Sequence, residues 1–192
     1  MTNKLSPLEP PFTREVEEVL ADYPKQDGYI LALFRTFANG LRFLKKGVPN
    51  LLDKGSPLDL RSREIVILRT TANRNCEYEW GVHVSIFARA ARFTDAQIQA
   101  TRLDDSACWS AEENQLIAAV DQLCVSGVMN AETLAQFESA WSCDQQLEIM
   151  ALIGTYSTIS YVANVARLPL EPFSVRFPRD NQFVGNYPGS TR

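Results

Sequence analysis

Leu60-Arg61-Ser62-Arg63-Glu64-Ile65-Val66-Ile67-Leu68-Arg69-Thr70-Thr71 is the stretch on which the fold turns. The four consecutive aliphatic residues suit a strand buried on both faces or a helix buried all round. The flanks decide for helix: they are good helix formers and the segment is long for a strand. Pro57-Leu58-Asp59 opens that helix. No pair of alternating strands stands out elsewhere, so the expected fold class is all-α.

Outward from this stretch the punctuation is regular. Residues 1–12 are proline-rich and expected to be extended. Thr13 caps a helix carrying Val16, Val19 and Leu20, stopped before Pro24. Asp27 is expected to cap a second, carrying Ile30, Leu31, Leu33, Phe34, Phe37 and Leu41 and broken at Gly47-Val48-Pro49-Asn50. After a break at Arg74-Asn75, a helix from about Cys76 to Arg92 buries Trp80, Val84, Phe87, Ala88 and Ala91. Thr94-Asp95 caps a short helix through Ile98. Ser110 and Glu113 form a capping box for a helix that runs to Gly127. Asn130 caps another short one. The last starts at Asp144 and ends near Leu168-Pro169. Domain organisation follows: an extended segment at 1–12, a helical domain at 13–169, and an irregular arm at 170–192. The arm's aromatics (Phe173, Phe177, Phe183, Tyr187) suit packing on its own or a neighbouring subunit.

The chain has 192 residues, 45% hydrophobic and 22% charged, with a net charge of −4. That size buries a core without disulfides or a structural metal. The basic residues are scattered, which excludes a nucleic-acid surface. The N-terminus lacks the pattern of a secretory signal. No apolar run is expected to approach the roughly 20 residues needed to cross a bilayer. A cytoplasmic protein is expected, and Cys76, Cys108, Cys124 and Cys143 then read as thiols. Their spacing matches no zinc pattern.

The chemistry concentrates in Asn75-Cys76-Glu77-Tyr78-Glu79-Trp80-Gly81-Val82-His83. His83 is the single histidine of the chain. Cys76, Glu79 and His83 share one helical face. A thiol near a helix start gains from the unpaired amides there, while Glu77 and Glu79 oppose its ionisation. His83 is a candidate acid or base, held and tuned by Glu79. Glu64, if it faces inward from its aliphatic surroundings, needs a partner, and His83 on the next helix is one. Glu64, Glu79 and His83 also have the donor types of an open metal site, but nothing in their spacing requires one. No metal or cofactor is expected. Arg61, Arg63 and Arg69 are candidates to hold a substrate carboxylate. Of these Arg69, together with Tyr78 and Trp80, is assigned to substrate binding.

The segments Arg63 to Thr71, Cys76 to Trp80, and His83 together resemble the carboxymuconolactone decarboxylase and alkylhydroperoxidase D superfamily. A looser likeness continues through Trp109-Ser110, Glu112-Glu113, Ala118 to Leu123, Gly154-Thr155-Tyr156 and Asn164, covering roughly residues 55–168. The resemblance implies an alkylhydroperoxidase D-like helical bundle with a hairpin core. It also implies a homo-oligomer (trimer, hexamer or dimer) acting on a small-molecule substrate, while charge and hydropathy already lead us to expect no nucleic acid or membrane partner. Redox members pair two cysteines, relayed by a histidine and an upstream glutamate. By position, Cys76 is the first cysteine, His83 the histidine and Glu64 the glutamate, but Glu79 stands where the second thiol would be. That departure favours acid–base chemistry on a small organic acid or lactone. The alternatives are a peroxidase with Cys76 as its single peroxidatic thiol, or an oligomer that binds a ligand without turning it over.

Overall fold

A computed structural model describes residues 4–103 and 106–178. Within them the regular secondary structure is helical apart from one hairpin of two-residue strands. Thr13 caps α1 (Arg14–Leu20) through its side chain. The hairpin pairs β1 (Lys25–Gln26) with β2 (Tyr29–Ile30) in antiparallel register. Short helices α2 (Ala32–Phe37) and α3 (Leu41–Lys46) follow. The expected helix cap at Asp27 is therefore corrected. Asp27 and Gly28 both have positive φ, 50° and 80°, and make the tight two-residue turn that an Asp-Gly pair favours.

The structural centre is α4 (Leu60–Asn73), capped by Asp59. Ile65, Val66, Ile67 and Leu68 are at most 1% exposed. α5 (Glu77–Phe87), α7 (Ala111–Ser126) and α9 (Cys143–Ala166) all pack against α4. A helix enclosed by three others can be apolar on every side, which explains the strand-like run. α6 (Asp95–Ala100) and α8 (Ala131–Ala140) complete the set. Capping boxes start α6, α7 and α9, formed by Thr94 with Gln97, Ser110 with Glu113, and Ser142 with Gln145.

The single helix expected between Asp27 and Gly47 is instead β2 followed by the separate helices α2 and α3, and two later boundaries also differ from expectation. α5 begins one residue after Cys76, which is its cap, and ends at Phe87 rather than Arg92. α9 begins at Cys143, capped by Ser142, and ends at Ala166, where Arg167 turns left-handed with φ 53°. α9 is long and apolar enough to cross a bilayer by length and composition, but half of its most apolar stretch is buried inside the fold.

Residues 170–178 lie along α5. Phe177 N–H donates to Glu77 Oε1 at 3.0 Å, and its ring meets Trp80. Ser85 Oγ donates to the Phe173 carbonyl and accepts from Val175 N–H, both at 3.0 Å. Glu171, 4% exposed, accepts from Ala32 N–H at 2.7 Å and from Tyr78 Oη at 2.5 Å. Phe183 and Tyr187 lie outside the described residues.

Candidate active site

The break at Arg74-Asn75 reverses the chain, so α4 and α5 form a hairpin with α9 across it. Asn75 carries a left-handed φ of 50°, which asparagine tolerates better than most residues. The reversal brings Glu64 on α4 against His83 on α5. His83 Nδ1 lies 2.8 Å from Glu64 Oε2. On its other side, His83 Nε2 lies 3.6 Å from Glu79 Oε1, one turn back on α5. Glu64 is fully buried, His83 is 3% exposed and Glu79 6%. The imidazole also sits between two rings, Phe87 at 5.1 Å and Tyr156 of α9 edge-on at 5.0 Å.

Burial by itself pulls the His83 pKa down. The charge and hydrogen bond of Glu64, followed by those of Glu79, outweigh it and hold the imidazole at about 9. His83 is then an imidazolium at neutral pH, donating Nδ1–H to Glu64. A buried ion with two carboxylate partners is the arrangement that offsets desolvation.

Cys76 is fully buried at the head of α5. Burial pushes its thiol up to about 11. The Glu79 carboxylate adds to the rise, while the amides of Glu79 and Tyr78 and the Ser160 hydroxyl oppose it. The sulfur is a thiol at neutral pH. Tyr156 is likewise held protonated, chiefly by burial and then by the charges of Glu79 and Glu64, against the pull of Arg63.

The buried polar atoms are not all paired. Arg63 Nε, Glu64 Oε1 and Glu79 Oε2 have no hydrogen-bond partner. Arg63 Nε and Glu64 Oε1 stand 3.6 Å apart, too far for a good bond. Such atoms are uncommon inside proteins, and their gathering marks a place for a ligand or ordered water.

The structure thus brings Cys76, Glu64, Glu79 and His83 together. It places the other three sequence candidates on their own fold. Arg69 makes two bonds to Asp121 of α7, at 2.6 and 2.7 Å, and one to the Thr101 carbonyl. Tyr78 Oη, besides bonding Glu171, accepts from Leu33 N–H at 3.1 Å. Trp80 Nε1 donates to Thr101 Oγ1 at 2.8 Å. Tyr156 and Ser160 join the site without having been singled out. They are four apart on α9, so one face presents both, but their pairing with α5 is a tertiary fact that no local pattern carries. Among the described residues, no group of three or more His, Cys, Asp or Glu side chains is arranged to hold a metal ion.

The surface cavities formed by the described residues include one of about 710 Å³ and one of about 310 Å³. The larger lies at the head of α5, lined by Asn75, Glu77 and Tyr78 with Ala163 and Asn164 of α9. Neither is lined by the cluster residues themselves.

Residues 42–122 match the profile of the carboxymuconolactone decarboxylase family. No curated protein matches the sequence. Two solved structures share the fold. One is a protein of unknown function from Agrobacterium tumefaciens, proposed to be an antioxidant defence protein AhpD. It is 19% identical with a TM-score of 0.56, covering 62% of this chain and 82% of that one. The other is the debrominase Bmp8 in its apo form, 15% identical with a TM-score of 0.72, covering 90% of this chain and 94% of that one.

Proposed function

We propose that the chain, whose residues 42–122 match the carboxymuconolactone decarboxylase family and whose fold is that of the AhpD-like structure, is an enzyme doing cofactor-independent acid–base chemistry on a small organic acid or lactone. The observation that carries this reading is the buried His83 imidazolium, clamped by Glu64 and facing Glu79. Glu64 holds Nδ1, which leaves the Nε2 proton as the one to give. Glu79 keeps one carboxylate oxygen, Oε2, unpaired and able to take a proton. The two roles are complementary: Glu79 removes a proton from an acidic carbon while His83 protonates the oxygen or carbon where charge collects. Proton return from the Glu79 carboxyl to Nε2, across the 3.6 Å that separates them, restores the resting state. In this scheme Cys76 stays a neutral thiol and serves as a polar wall or second proton donor.

The thiol's state argues against the peroxidase alternative. With burial pushing the Cys76 pKa up to about 11, the group is a thiol at pH 7, and the thiolate is the peroxide-reactive form. The test is a screen of organic acids and lactones with the purified protein, with hydrogen peroxide in parallel. Turnover that falls by roughly 10²–10⁴-fold in His83→Ala and Glu79→Gln supports the proposal. Full turnover in His83→Ala on the identified substrate would end it. Rapid trapping of a Cys76 sulfenic acid would replace it with the peroxidase reading.

A further inference from the structure

The six buried or half-buried arginines of the described residues are not equivalent. Arg35 donates to Glu9, Tyr29 and the carbonyls of Leu8 and Ile30. Arg61 donates to Glu113 and the carbonyls of Ala91 and Arg92. Arg69 holds Asp121, Arg74 holds Ser157 and the Cys124 carbonyl, and Arg102 holds Asn75 and the Ala72 carbonyl. Arg63 is different. It is 8% exposed, its Nε–H has no partner, and its nearest carboxylate is 3.6 Å away. A guanidinium taken out of water with a donor unfilled is costly. The same side chain lies at the polar cluster: its charge acts on Tyr156, which contacts His83.

We propose that Arg63 anchors the carboxylate of the substrate, and that the site selects for a single carboxylate. This rests on the proton-transfer reading above. The planar guanidinium has the donor geometry for a carboxylate, and Glu64 does not occupy it because His83 already engages that side chain at 2.8 Å. Charge sets the number. Arg63 and His83 carry two positive charges against two negative charges on Glu64 and Glu79. These four charges already cancel, so one carboxylate held at the open Arg63 donor leaves the buried cluster with one net negative charge, whereas a second would double it with no further open donor to hold it. Once seated, the acid presents its remaining atoms to the unpaired Glu79 oxygen and to the His83 Nε2 proton. Arg63 is therefore a positioning residue for the substrate, and it adds selectivity for acids over their neutral analogues.

The test uses 4-fluorobenzoate and 4-fluorobenzamide as probes, followed by fluorine NMR on the full chain. Wild type is expected to bind the carboxylate and to prefer it to the amide. Arg63→Gln is expected to weaken carboxylate binding by about 10- to 100-fold, the range for losing a hydrogen bond to a charged group, with amide binding unchanged. Arg63→Lys keeps the charge without the planar fork and should fall between the two. If Arg63→Gln fails to fold, Arg63→Lys and the nitrogen-15 resonance of Arg63 Nε–H in wild type, which should move on titration with the carboxylate, decide the matter. Absence of carboxylate binding to wild type overturns the proposal, because ordered water then satisfies these atoms. So does carboxylate binding indifferent to both Arg63 variants. Either result leaves the proton-transfer reading standing wherever His83→Ala still abolishes turnover. Loss of the His83 effect with the Arg63 effect intact would instead leave a carboxylate-binding protein.

Discussion

His83 offers a direct measurement, because a chain with one histidine gives one imidazole signal. Held at about 9 by Glu64 and Glu79 against burial, it should titrate well above the ordinary 6.5. In Glu64→Gln the midpoint should fall. A wild-type midpoint at or below 6.5 would remove the buried imidazolium and the acid it supplies. The sign of the stability effect follows from the native state holding its proton more tightly than the unfolded chain. The contribution is complete below about 6.5 and disappears as pH rises through about 9. Wild type should therefore lose stability between neutral pH and pH 10, with a shallower loss in Glu64→Gln. Glu64→Ala leaves the imidazole without its nearest partner and should cost about 3–5 kcal/mol, as breaking a buried pair does. A second measurement concerns the thiols. Cys76 is buried and Cys143 exposed, so native alkylation at pH 7.5 followed by mass spectrometry should modify Cys143 and spare Cys76. Fast labelling of Cys76 would contradict its burial and its raised pKa. At this scale the stripe of Cys76, Glu79 and His83 was legible in the sequence, since helical spacing alone sets it. The unpaired Nε of Arg63 was not, because it depends on which of several arginines finds a carboxylate partner across the fold.

At the scale of elements, the α4–α5 hairpin was legible and the arm laid on α5 was not. The aliphatic run of α4 declares a buried helix once its flanks are weighed. The seat of the arm depends on Gly81, whose role becomes visible when a backbone from nearly a hundred residues away lies against it. A Cβ built at Gly81 would stand 2.2 Å from the Val175 carbonyl oxygen. That neighbour is backbone, so the arm itself must move. Gly81→Ala should release residues 173–177 from α5, at about 1–3 kcal/mol, the cost of an overpacked contact. The checks are thermal unfolding and limited proteolysis across Phe173 to Phe177. Unchanged melting and unchanged protease resistance would show that the arm has other anchors. The hairpin at Asp27-Gly28 teaches the converse. An aspartate before an apolar run reads as a helix cap, yet aspartate and glycine each tolerate positive φ, and together they turn the chain into a strand pair.

For the whole molecule, α9 has two faces with different duties. Its inner face supplies Ile149, Leu152, Tyr156, Ile159 and Ser160 to the core and the site. Its outer face exposes Leu147 (63%), Met150 (42%), Tyr161 (54%) and Val165 (64%), and Ala151 and Gly154 lie between them on the same exposed side. Leu147, Ala151, Gly154, Thr158, Tyr161 and Val165 recur at alternating steps of four and three, the spacing of a seam between two helices, and none of them carries a charge. An uncharged apolar row about 27 Å long, at 1.5 Å per residue, is more than an isolated surface helix ordinarily leaves in water. The small residues at its centre let a second backbone approach closely. A second copy of the same helix has the matching shape and the matching lack of charge, so the chain is expected to self-associate through α9. Light scattering after size exclusion should show an oligomer for wild type and a monomer for the double variant Leu147→Glu, Val165→Glu. A monomeric wild type at micromolar concentration would refute this. Because Tyr156 and Ser160 point the other way from the same helix, a monomeric double variant that still titrates His83 near 9 would show that the cluster is built within one chain. A variant whose His83 midpoint falls instead would show that packing along α9 is needed to keep the imidazolium buried.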